Sequence, residues 1–171
     1  MDIQRELLKG HSKLLANKVA DYVGDNPVRF KQLIEVFLAG PYRTTQRAAW
    51  PISFCVDRNP DLILPHLNRV LNFLQEPGIH DAVKRNVVRL LQVAPIPKRL
   101  HGKVTEICFG YLTNKKEAIA IRVFSMTVLS RIVREHEDLK QELLMTIEDQ
   151  LPYSSAAFRS RARKVMKELR A

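Results

Sequence analysis

Glycine and cysteine are scarce in this chain, and tryptophan occurs once. Its six glycines stand singly, so no Gly-rich loop is present to cradle a phosphate, and G-x-S-x-G, H-E-x-x-H and C-x-x-C are all missing. No catalytic motif remains on which to build an enzyme. Cys55 and Cys108 lie far apart in apolar surroundings and read as free, buried thiols rather than as a disulfide. The histidines, His11, His66, His80, His101 and His136, fall mostly near turns and helix starts, none at ligand spacing from another donor. Neither a metal nor a cofactor is expected.

Long hydrophobic runs are missing too. No window approaches about 18 uninterrupted apolar residues, and the most apolar stretch, Ile119 to Leu129, is broken by Arg122. The opening MDIQRELLKGHSKLL lacks the basic start and continuous apolar run of an export signal, which makes a soluble, cytoplasmic protein the expectation. Period-2 alternation never persists, so no strand is predicted. With no Ser/Gly-rich linker to divide them, residues 1–171 read as a single domain.

What the chain has in excess is positive charge and helical periodicity. Lysine and arginine number 28 against 18 acids, a formal net charge of +10, which favours acidic partners. Arg47, Arg85, Arg122 and Arg161 recur at just under ~40 residues, the period of a helix-pair repeat. Each precedes a largely apolar stretch.

The clearest unit runs from Pro60 to Ala94. Leu67, Val70, Leu71 and Leu74 form one apolar stripe, Glu76-Pro77-Gly78 breaks it, and Val83, Val87, Leu90, Leu91 and Ala94 form a second. Asp81 is placed to open that second helix favourably for its dipole. The same pattern recurs over 97–134, with a turn at Thr113-Asn114, and over 137–171, with a turn at Pro152 to Ser155. An earlier unit, 27–58, turns at Gly40-Pro41 and carries Pro51 inside its second helix, where a proline should bend or split the helix near Trp50. Residues 1–24 read as an N-terminal cap of one or two helices, with Gly10 a break. The count is about nine helices in all.

The Pro60 to Ala94 unit resembles a HEAT repeat of the armadillo-type helical-repeat family. Pro65 fills the kink position, Leu67, Leu71 and Leu74 the leucines, Asp81 the acid and Arg85 the arginine, with Lys84 where valine is usual. The resemblance implies an all-α fold, a right-handed α-α superhelix of about four helix-pair repeats behind a capping helix. It specifies a fold and no activity. It also implies that the recurrent arginines pair with acids of the same or a neighbouring repeat and fix registry; the alternatives are that they face a ligand or are ordinarily solvated.

Between Val83 and Thr105 lie Lys84, Arg85, Arg89, Lys98, Arg99 and Lys103 with no acid. If second helices line the inner wall, as in HEAT-like folds, then Arg43, Arg47, Lys84, Arg85, Arg89, Arg122, Arg159 and Arg163 form a basic groove. The expected function is a non-enzymatic scaffold that presents this groove to an acidic protein segment. The alternative is nucleic-acid binding of the kind seen in DNA-alkylation-repair-type glycosylases, which share helix pairs, basicity and arginines opening the inner helices. Those enzymes need aromatics and an acid near the lesion; here only Trp50, Tyr42 and Asp57 are candidates, and Trp50 reads better as core or as a filler of the helix kink. A membrane-surface role is disfavoured, since no helix sets a lysine-rich face against an exposed Trp/Phe face.

Overall fold

A computed structural model describes residues 1–171, all of them helical or in connecting turns. The helices are α1 (Ile3–Leu8), α2 (Lys13–Val23), α3 (Pro27–Ala39), α4 (Tyr42–Arg58), α5 (Leu67–Leu74), α6 (Asp81–Leu91), α7 (His101–Thr113), α8 (Ile119–Ile132), α9 (Glu137–Gln150) and α10 (Ala156–Arg170). Short 3₁₀ turns precede α5, α7 and α9, and a fourth precedes α10. The chain forms two compact units, Met1–Ile96 and Pro97–Ala171. No helix is long and apolar enough to cross a membrane.

Helix boundaries follow local chemistry. Asp2, Ser12, Asn26 and Ser155 accept backbone N–H bonds at the starts of α1, α2, α3 and α10, and Pro27 occupies the first turn of α3, where its missing N–H is harmless. The N-terminal segment is therefore a helix pair rather than a single capping helix, because Ser12 restarts the chain after the break at Gly10. The 3₁₀ turn at Pro60–His66 absorbs Pro65, so only the second half of that first helix is α-helical.

In the first unit, α4 lies between α2 and α6 and packs on α3. Phe30, Leu33, Ile34 and Phe37 of α3 are completely buried, as the stripe predicts. Pro51 does not split α4, which continues through it to Arg58. An interior proline costs about 3 kcal/mol in an isolated helix. Here Pro51, Ile52 and Val56 are all buried among three helices, and that burial outweighs the lost hydrogen bond. Ion pairs one repeat apart tie successive helices: Arg58 to Asp21 at 2.6 Å and Arg69 to Glu35 at 2.6 Å. The Arg69 guanidinium holds the Glu35 carboxyl below the usual carboxylate range. Both pairs are exposed, so they set alignment more than stability.

In the second unit α8 packs against α7 and α10, and α9 against α10. Phe158, Ala162, Val165, Met166 and Leu169 form the buried side of α10, while Arg159, Arg163, Lys164, Lys167 and Arg170 are exposed.

Cys55 and Cys108 are free and buried, and burial pushes both thiols up to about 12. Neither should react with an aromatic disulfide reagent until the protein unfolds; prompt labelling of the native state would contradict their burial. The folded value lies above the unfolded one, so the thiols leave stability untouched below pH 9.0 and lower it as pH rises towards 12. The slope is about 1.4 kcal/mol per pH unit for each cysteine. A Cys55→Ala/Cys108→Ala variant should lack that alkaline loss in thermal melts run at increasing pH.

Candidate interaction surface

Arginine has a fixed planar fork of five donors, so its role in a fold is read from what accepts them. Arg47 donates from Nη1 to the carbonyls of Leu7 (2.9 Å) and Leu8 (3.1 Å), which end α1. Terminal carbonyls have no partner within their own helix, and Arg47 supplies one. Arg122 donates from Nε to the Leu112 carbonyl at 3.3 Å, reaches the side-chain oxygen of Gln150 in α9, and lies 4.9 Å from the centre of the Phe158 ring. Its burial lowers its pKa from the ordinary arginine value. Arg161 bonds Thr127 of α8. Three of the four recurrent arginines thus join neighbouring helices, Arg47 and Arg122 through carbonyl and amide oxygens and Arg161 with a hydroxyl oxygen among its acceptors.

Arg85 breaks the pattern, although it best matches the HEAT motif. It is exposed, and no acid or carbonyl accepts from it. The joining role in its repeat falls to Arg89, one helical turn on, which donates to Asp57 at 2.7 Å and to Ser53 at 3.0 Å and lies 5.7 Å from the centre of the Phe54 ring. Asp81 opens α6 as expected, with His80 as its cap: the ring Nδ1 accepts the Ala82 N–H at 3.0 Å. A period of ~40 residues cannot distinguish two arginines a single turn apart on one helix.

The eight basic positions therefore divide by what they are free to do. Arg47, Arg89 and Arg122 are half-buried and committed to internal bonds. Arg43, Arg85 and Arg163 are exposed and unpaired, Arg159 is exposed while donating to the Ser154 carbonyl, and Lys84 is half-buried. In the first unit, Arg43 sits in the first turn of α4, and Lys84 and Arg85 sit near the start of α6. The two helix starts are held together by an edge-to-face contact between Tyr42 and His80, ring centres 5.7 Å apart. In the second unit, Arg159 and Arg163 are one turn apart on α10, and Lys115 lies over the exposed ring of Tyr153.

Trp50 is half-buried between His11 (5.3 Å) and Phe54 (5.9 Å). Asp57, the acid nearest it on α4, is tied to Arg89. No three histidine, cysteine or acidic side chains converge as a metal site. Sequence spacing missed two polar clusters. His101 and His136 meet at 3.2 Å between Nδ1 and Nε2, so one ring nitrogen donates and the other accepts. Glu6 is buried and held by Lys18 and Lys9, each at 2.6 Å, which lower its pKa.

The sequence profile of the HEAT repeat domain matches residues 3–169. No curated protein and no solved structure matches the chain.

Proposed function

Since the chain belongs to the HEAT repeat family, whose repeats commonly mediate protein interactions, we propose that it is a non-enzymatic scaffold that binds an acidic protein segment through its exposed arginines. The supporting observation is the division among the arginines. Those that hold repeats together are paired, whereas Arg43 and Arg85 stand unpaired at two adjacent helix starts. A fold gains nothing from leaving guanidinium groups unpaired in water, and such groups attract carboxylates. The pairing of Asp57 with Arg89 weighs against base-excision chemistry, which would need an available acid near Trp50.

Titration with a polyglutamate peptide and with duplex DNA, each at ~50 and ~500 mM salt, tests this reading. The expected result is tighter binding of the peptide at the lower salt, weakened at the higher. Tighter binding of the duplex, with a steep dependence of log affinity on log salt, would overturn it in favour of nucleic acid. Failure of both to bind would overturn it altogether.

A further inference from the structure

A cavity of about 180 Å³ opens between the α3–α4 turn and the α5–α6 turn of the first unit. Leu38, Phe73, Ile79 and Val83 make its walls apolar, and Tyr42 and His80 stand at the two helix starts beside it. Its size is comparable to the engineered cavity of about 150 Å³ that admits benzene, so one phenylalanine or leucine side chain fits.

The turns that frame it are specified by the sequence. A Cβ on Gly40 would come within 2.4 Å of the Val36 carbonyl oxygen, and Gly78 has φ +75°, in the left-handed region that side chains disfavour. Thr45 donates to the Phe37 carbonyl at 2.9 Å and so ties the first turn of α4 to the end of α3. Phe37 and Phe73 pack edge to face beneath, 5.2 Å between centres.

Polar features of the cavity favour an acidic neighbour for the apolar group. His80 accepts at Nδ1, which leaves its neutral ring with the proton on Nε2 as a donor. Pro41 caps α4 without a side-chain acceptor, so that helix start is open to an incoming acceptor. Residues 40–50 carry Arg43 and Arg47 and no acid, whereas residues 75–85 balance Lys84 and Arg85 with Glu76 and Asp81, so the basic side of the cavity is the start of α4.

We propose that this cavity receives an apolar side chain, of phenylalanine or leucine size, from an acidic protein segment, with the flanking carboxylates meeting Arg43 and the open start of α4. The proposal rests on the acidic-segment reading above and adds the anchor that gives it specificity. Charge alone attracts any polyanion, whereas a filled apolar pocket selects one residue.

The test uses the intact chain and two labelled peptides of equal charge, one with glutamates around a phenylalanine and one with serine in its place. The phenylalanine peptide should bind about tenfold more tightly or better, and should shift the methyl resonances of Leu38, Ile79 and Val83 where the serine peptide does not. Ile79→Trp, which fills the cavity, should reduce the phenylalanine peptide to the affinity of its serine twin. The methyl shifts are read on the unaltered protein and decide the matter if that variant does not fold. Equal affinity without methyl shifts overturns the anchor and leaves the acidic-segment reading standing. Failure of both peptides to bind at ~50 mM salt overturns both.

Discussion

Reversing Arg43 and Arg85 together to glutamate is expected to weaken binding of an acidic peptide by about 30-fold or more at ~50 mM salt, because two attractive contacts become repulsive. Raising salt to ~500 mM should shrink the difference to a few-fold, since charges this exposed are screened within about 4 to 5 Å. The thermal midpoint should hardly move. Neither side chain has a partner to lose, and substitutions at such surface positions usually stay within about 0.5 kcal/mol. Full retention of peptide binding by the double variant at low salt would place the interaction elsewhere, with the α10 arginines Arg159 and Arg163 the next candidates.

Arg89 supplies the contrast that makes the experiment readable. Arg89→Glu would set a second carboxylate against Asp57 and remove the bond to Ser53, so it should cost stability, about 1 to 3 kcal/mol, whatever it does to binding. Treating Arg85 and Arg89 as one patch would confuse the two effects. Their geometry separates them: one points into water, the other spans two helices.

The arrangement of helix pairs could be read from the sequence because each apolar stripe is fixed by the 3.6-residue period and most turns by glycine or proline, with Thr113-Asn114 marking the one between α7 and α8. Phe30, Leu33, Ile34 and Phe37 lie buried as their spacing requires, and Gly40 and Gly78 lie in the turns they mark. What could not be read depends on atoms from different repeats. The continuity of α4 through Pro51 follows from packing on three sides, which no local propensity encodes. The arginine period announces registry but not the acceptor, and for Arg47 and Arg122 the acceptors are neutral oxygens that carry no charge pattern to find. The cavity is still further from the sequence, for its walls come from two turns whose residues are unremarkable until they meet.

Phe158→Ala should lower stability by about 3 to 5 kcal/mol, the cost of removing a buried aromatic ring and leaving a void. Phe158 is completely buried in the first turn of α10, and its backbone N–H is bound by Ser155 at 3.3 Å. Its ring is also the surface on which the Arg122 guanidinium rests, so the substitution strips one side of the link between α8, α9 and α10. Whole domains are stable by only about 5 to 15 kcal/mol, so the second unit should lose much of its margin. Hydrogen exchange can locate the damage. Amides of α10 and α8 should exchange faster by about two to three orders of magnitude, while those of α4 keep their protection, because α4 belongs to the other compact unit. Phe158→Leu, which restores most of the apolar volume but not the flat face beneath Arg122, should recover more than half of the loss. Equal acceleration in α4 and α10 would mean that the two units unfold as one cooperative body and would overturn this expectation of separate stabilities.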